Sequence, residues 1–241
     1  MKQKKFMTIY DDLRVQITEG TLAHGMKMPS EYQLVSDYGA SRETVRKALD
    51  LLVANGMIQK VRGKGSIVIY QGMTEFPFDQ LVSFKEMKAT LGLAHETRVV
   101  HFDCIEAREV QDVQQALDVQ PSTLLWHVVR HRIVEGRVKI VDEDYFVCDM
   151  VPQLTSDIAA QSIYDYIEGE LGCEISFSNK AITFEPFRKE DIEAFGTIDP
   201  PYTATVRGIV HFKDTRKFQY NVSKHIATEF KFVDFSRRRQ G

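Results

Sequence analysis

Residues 29–68, PSEYQLVSDYGASRETVRKALDLLVANGMIQKVRGKGSIV, constrain this chain more than any other stretch. The run reads as a helix over 31–38, a tight turn at Gly39 and Ala40, a second helix over 42–55, and a β-ribbon with Arg62-Gly63-Lys64-Gly65 at its tip. Ser30 and Ser41 stand where a side-chain oxygen accepts the N–H groups that open each helix. Within the second helix Val45, Leu49, Leu52 and Val53 recur at helical spacing as a buried stripe. That leaves Arg42 and Arg46 on one exposed face near its N-terminal end, beside Thr44. An arginine fork there can bond guanine O6 and N7, or a phosphate, with two hydrogen bonds at once. Gly56 suits a left-handed helix end. Residues 57–61 and 66–69 read as hairpin strands, whose glycines let the tip approach a sugar-phosphate backbone while Arg62 and Lys64 supply charge. Taken singly, these features also suit a three-helix pack with a surface hairpin. Their order, capped helix, glycine turn, arginine-bearing helix and basic tip, is the one a winged helix requires.

The charge distribution agrees with a DNA-facing N-terminal part. Residues 1–70 hold eleven lysines and arginines against seven acids, a net +4; as the whole chain carries −3, the remainder carries −7. A first helix over 6–20 presents Phe6, Ile9, Tyr10, Leu13 and Ile17 inward, with Lys4 or Lys5 in reach of a phosphate. Residues 21–28 read as a connection. Periodicity lapses over 70–77, which divides the chain into a DNA-binding domain at 1–70, a linker at 71–81 and a second domain at 82–241.

The second domain reads as α+β, an antiparallel sheet with helices packed on it. Strands are expected over 97–107, 123–135, 138–147, 174–185, 203–213, 218–225 and 230–235, and helices over 109–117, 162–171 and 189–195. Strand alternation sets Arg130 and Arg132 on one face, with Ser83, Phe84, Glu143, Ser162 and Tyr164 as further members of a constellation suited to an anion. The residues alone leave a second reading open, in which these arginines pair with acids such as Glu143 or Asp144 on a solvated face. Cys104, Cys148 and Cys173 are widely spaced, with no CxxC or Cys/His ligand pattern, so buried thiols in a reducing cytoplasm are expected and no metal. The basic N-terminus has no apolar region after it and no run of about 18 apolar residues occurs, so neither export nor a membrane partner is expected.

The stretches IYDDLRVQITEG and MKMPSEYQLVSDYGASRETVRKALDLLVANGMIQKVRGKGSIV resemble the winged helix-turn-helix domain of the GntR family of bacterial transcription regulators. The resemblance implies that Arg42, Thr44 and Arg46 enter the major groove, that Ser30 and Glu31 start the preceding helix, and that Gly63 sits at the wing tip. Residues 82–235 resemble the effector-binding (UTRA) domain of the HutC-type branch, a fold shared with chorismate lyase, through SFKE, VVRHR, VDEDYF, QSIYDYIEGELG and FQYNVSKH. Carried across these motifs, Ser83, Arg130, Arg132, Ser162 and Tyr164 would hold a ligand phosphate, and Glu143, Gln219, Tyr220 and Ser223 a sugar. Gln219 departs from the glutamate many members carry, and His225 from a frequent tyrosine. The ending HIATEFKFVDFSRRR resembles members that repress trehalose operons in Gram-positive bacteria, which implies trehalose 6-phosphate as inducer, a glucosamine-type hexose phosphate being the alternative. A palindromic operator read by a homodimer is the partner this implies. The seven histidines show no triad spacing or metal pair, and a shared fold transfers no chemistry, so an enzyme is not expected. A DNA-binding protein whose second domain only dimerises would share every N-terminal feature.

Overall fold

The computed structural model describes residues 5–70 and 95–232, which fall into two compact units, one built from 5–70 and the other from 95–231. The linker at 71–81, Ser83 and Phe84 lie outside the described residues, as does the 237–239 arginine run.

The first unit holds α1 (Lys5–Thr18), α2 (Glu31–Tyr38), α3 (Arg42–Ala54), β1 (Ile58–Val61) and β2 (Gly65–Val68). Ser30 closes a capping box with Gln33, and Ser41 Oγ accepts the Thr44 N–H at 3.2 Å. At the far end of α3, Gly56 has φ 69°, its N–H reaches Val53 O, and Met57 N–H reaches Leu52 O at 2.9 Å. This is a Schellman ending, and Met57 and Leu52 join the same buried cluster. Ile9, Tyr10, Leu13 and Ile17 of α1 pack there with Val45, Ala48, Leu49 and Leu52 of α3. Ala48 thus takes the place expected of Val53, which is only half-buried. The connection at 21–28 is more ordered than expected: Lys27 bridges Ile67, and Met28 N–H bonds Ser66 O, so it adds an edge to the wing.

The second unit is one six-stranded antiparallel sheet in the order β3-β4-β5-β8-β7-β6. Its strands are β3 (His95–Glu106), β4 (Leu124–Val134), β5 (Arg137–Val147), β6 (Ile175–Pro186), β7 (Tyr202–Phe212) and β8 (Lys217–Ile226). Helix α4 (Gln111–Leu117), preceded by a 3-10 turn at Ala107–Glu109, packs on one face with Leu125, Tyr145 and Val147. On the other face lie α5 (Ser156–Gln161), α6 (Ile163–Asp165) and a π-turn (Tyr166–Glu170), covering Val128, Phe146, Val210, Phe212 and Phe218. Helix α7 (Lys189–Phe195) completes the unit, where Lys224 bonds the buried Asp191 at 2.7 Å.

Two expectations are corrected here and a third is refined. The helix expected over 162–171 is present, capped by an extended Ser162 (φ −151°, ψ 107°) and helical over 163–170, but its second half is a π-turn and the unforeseen α5 precedes it. Residues 230–232 form no strand, because the chain leaves the sheet through a turn after Ile226, whose carbonyl accepts the Glu229 N–H. None of the three cysteines is buried; Cys104 lies on edge strand β3 and is exposed, with its Sγ 3.7 Å from Cys148 Sγ. Among the described residues no helix is long and apolar enough to cross a membrane.

Candidate functional site

On the first unit, Arg42 and Arg46 are both exposed on the N-terminal half of α3. Arg46 rests on Glu31 at 3.3 Å, an ion pair in water that is worth little and yields readily to a phosphate or base. Thr44 Oγ1 and Ser41 Oγ are 2.8 Å apart, so the helix start is held by the two hydroxyls the sequence singles out. Arg62, Gly63 and Lys64 form the exposed wing tip, where Lys64 N–H bonds Val61 O and Gly63 has φ 77°. Lys5 Nζ is engaged by Gly39 O at 2.7 Å, which ties α1 to the turn before the recognition helix.

In the second unit the decisive geometry is the β4–β5 hairpin. Glu135 (φ 50°) and Gly136 (φ 74°) make a two-residue turn of the type that suits strand twist. From that turn Val134 pairs Arg137 and Ile133 pairs Val138, but Lys139 is then inserted as a bulge and Arg132 pairs Ile140. A shift of one residue exchanges the faces of a strand. As a result Asp142 and Asp144, rather than Glu143, share a face with Arg130 and Arg132. Pairing of β5 with β8 places Gln219, Asn221, Ser223 and His225 on that same face.

These side chains form a buried polar network. Arg130 Nη2 donates to Asp144 Oδ2 at 2.5 Å. Arg132 Nε donates to Asp142 Oδ2 at 2.8 Å, and its Nη1 to Thr97 Oγ1 at 2.8 Å. Asp144 Oδ1 accepts Gln219 Nε2 at 2.7 Å and Asn221 Nδ2 at 2.8 Å, and Asp142 Oδ1 accepts the Ser223 hydroxyl at 2.6 Å. Tyr164 donates to Gln219 Oε1 at 2.9 Å. Burial would raise Asp142, but Arg132 and Arg130 outweigh it and hold its carboxyl below the usual range. Burial and the charge of Arg130 bring Arg132 down to about 10, still protonated at neutral pH. The two guanidiniums and two carboxylates thus interlock as a quartet in which no side chain is more than 14% exposed. Within it, and among the described residues, Arg130 Nε–H is buried with no partner, a donor left over.

The structure thus brings together Arg130, Arg132, Tyr164, Gln219 and Ser223, with Ser162 nearby in sequence as the cap of α6. Ser162 Oγ is spent on the Asp165 N–H at 3.2 Å. Glu143 and Tyr220 are on the opposite face, and their expected place beside the arginines is corrected. Glu143 Oε1 bonds His127 Nε2 at 2.9 Å and Tyr145 OH at 2.6 Å, and Tyr220 packs with the cluster around α4. Sequence reasoning missed Asp142, Asn221 and Thr97, named Asp144 only as a partner of the arginines on a solvated face, and named His225 without placing it here. The Asp144 pairing is observed, but buried, and the shared parity of Gln219 and Ser223 is the signal that reaches Asn221 and His225.

A helix pair with an arginine-bearing recognition helix and basic wing, joined in one chain to a sheet domain with a buried arginine pair, defines a DNA-binding transcription regulator with an effector domain. Residues 6–68 match the family described as bacterial regulatory proteins, gntR family, and residues 90–231 match the UTRA domain. The chain belongs to the GntR family of transcription regulators and carries a UTRA domain. It is 44% identical over 238 residues to the HTH-type transcriptional regulator TreR of Bacillus subtilis (strain 168), covering 99% of each chain. It is 28% identical to the mannosyl-D-glycerate transport/metabolism system repressor MngR of Escherichia coli (strain K12), over 97% of this chain and 96% of that protein. Among solved structures, the effector binding domain of the B. subtilis trehalose repressor aligns at 39% identity with a TM-score of 0.54, covering 60% of this chain and 99% of that one. The possible transcriptional regulator YydK from B. subtilis aligns at 23% identity with a TM-score of 0.80, over 98% of this chain and 100% of that one, a likeness of fold.

Proposed function

We propose that this regulator is a repressor of a sugar-utilisation operon and that trehalose 6-phosphate, bound against Arg130 and Arg132, releases it from a palindromic operator read by a homodimer. The observation that carries the reading is the pair of buried guanidiniums on one face of β4, one of them with an unused N–H. Two arginines offer ten N–H donors, and a phosphate can take several at once as charge-assisted bonds. Glycosyl hydroxyls would then meet Asp142, Asp144, Gln219, Asn221 and Ser223, whose mixed donors and acceptors suit a polyol. The likeness to a trehalose repressor supports trehalose as the sugar. Ser83 and Phe84 remain part of the proposed site by family motif alone. In the proposed division of labour, residues 1–70 read DNA, 71–81 connect, and 82–241 bind effector and dimerise; no catalytic role is assigned.

Release requires that the effector bind the non-operator arrangement more tightly, and operator must weaken effector binding by the same factor. The test is a melting titration of the whole chain with trehalose 6-phosphate, trehalose and glucosamine 6-phosphate. Ligand at about 100 times its dissociation constant stabilises by about 2.7 kcal/mol, a clear rise in Tm. A rise with trehalose 6-phosphate alone, lost in Arg132→Ala, supports the reading. A rise with glucosamine 6-phosphate alone replaces the sugar, and no rise with either removes the phosphate site.

A further inference from the structure

The sheet face opposite the arginine pair carries a second cluster that the regulator reading does not use. Strand β3 has its own bulge, between Val99 and His101, which leaves Val100 outside the pairing and turns His101 and Asp103 toward the face that holds His127 and Glu143. Asp103 is the register partner of His127. Asp103 Oδ1 lies 3.2 Å from His101 Nε2 and 3.8 Å from His127 Nδ1, and the three ligand atoms all lie within 4.8 Å of one another.

His127 is set as a ligand by what surrounds it. Glu143 Oε1 receives the Tyr145 hydroxyl at 2.6 Å and His127 Nε2 at 2.9 Å. A carboxylate oxygen accepts rather than donates, and this one already receives the Tyr145 hydroxyl, so Nε2 is the donor. In the neutral ring the lone pair then falls on Nδ1, the atom that faces Asp103. Tyr145 also stacks on the imidazole, with ring centroids 4.5 Å apart and planes 2° from parallel. A carboxylate holding the far nitrogen of a histidine is the arrangement that orients imidazole ligands toward zinc.

We propose that His101 Nε2, Asp103 Oδ1 and His127 Nδ1 bind a zinc ion, with Glu143 as the positioning residue for His127 and one coordination place open to water. Tetrahedral ligands at about 2.0–2.1 Å from zinc lie about 3.3 Å apart, so two edges of the triangle are already close to the required length. The third would close by rotation of His101, whose side chain is 45% exposed and whose ring lies 4.7 Å from that of His127. Two imidazoles and one carboxylate suit zinc over calcium or magnesium, which prefer all-oxygen sites. The metal would pin edge strand β3 to β4. It is independent of the phosphosugar reading, since no residue is shared and the two groups lie on opposite faces.

The experiment takes the untagged full-length chain, freed of metal by a chelator, and titrates it with zinc chloride by calorimetry and Tm, then with cobalt(II) as a spectroscopic probe. One zinc per chain, a saturable rise in Tm and the intense visible bands of four-coordinate cobalt are expected. His101→Ala, on an exposed side chain, should keep the metal-free Tm and lose zinc affinity at least about tenfold. Glu143→Gln should weaken it by about 10- to 100-fold. Absence of stoichiometric binding, six-coordinate cobalt only, or undiminished affinity in His101→Ala overturns the proposal.

Discussion

Arg130 does not bond the acid opposite it in the sheet: its Nη2 passes Asp142, the register partner, and donates to Asp144 Oδ2. Arg132 steps the same way to Asp142, so the two ion pairs interlock along the hairpin diagonal. Asp144 is fully buried and also accepts Gln219 and Asn221, so it satisfies three donors from two strands. Removing one partner of a buried pair leaves the other charge without compensation. Asp144→Ala should therefore cost about 3–5 kcal/mol in urea unfolding. The double change Arg130→Met with Asp144→Leu should cost much less, because no charge is left buried. An equal cost for single and double variants would refute this account of the pair.

His225 makes a pH prediction. It is buried, with Nε2 3.2 Å from Ser223 Oγ, and burial brings it down to about 4 against the pull of Asp142. In the unfolded chain an ordinary histidine takes its proton near pH 6.5, whereas the folded chain refuses it until about pH 4. Acid in that window therefore favours the unfolded state. Stability should fall between pH 6.5 and 4 by an amount on the order of 3 kcal/mol, and be fully present above pH 6.5. His225→Gln should flatten this part of the pH profile; an unchanged slope would place the effect elsewhere.

The N-terminal unit was legible because its signals are local. Ser30, Ser41 and Gly56 act on neighbours within four residues, and the stripe of α3 needs only a period of 3.6. The sheet domain yielded its strands and the Arg130–Arg132 face for the same reason. What failed depends on pairing between strands. Counted back from the Glu135–Gly136 turn without a bulge, Glu143 falls on the arginine face; the extra residue at Lys139 inverts this and brings Asp142 and Asp144 there instead. The bulge at Val100 likewise gathers His101, Asp103 and His127, which are 26 positions apart at most and show no ligand spacing.

The ending of α3 can be tested alone. Gly56 occupies φ 69°, where a Cβ is strained, and its backbone closes the Schellman pattern onto Val53. Gly56→Ala should destabilise the first unit by about 1–2 kcal/mol. Ser41→Ala should cost about 1 kcal/mol through removal of the Thr44 N–H acceptor. The two sites are at opposite ends of one helix with no shared partner, so the double variant should show additive loss within about 0.5 kcal/mol. Thermal unfolding of the three variants decides it.

Arg46 and Lys64 divide the two parts that DNA affinity should have. Arg46 sits on the recognition helix and gives up only an exposed pair with Glu31 when it turns to a base. Lys64 sits at the exposed wing tip beside Arg62 and Gly63, where its ammonium can meet phosphate as a point charge. Arg46→Ala should cost about 1–3 kcal/mol on the operator and little on unrelated DNA, so the ratio between the two shrinks. Lys64→Ala should weaken both alike and reduce the slope of log affinity against log salt by about 0.9 for each phosphate it no longer neutralises. Salt titrations of both variants on operator and on scrambled duplex separate the roles. If Arg46→Ala weakens both duplexes equally and lowers the salt slope, its bond is to phosphate and base reading belongs to Arg42 and Thr44.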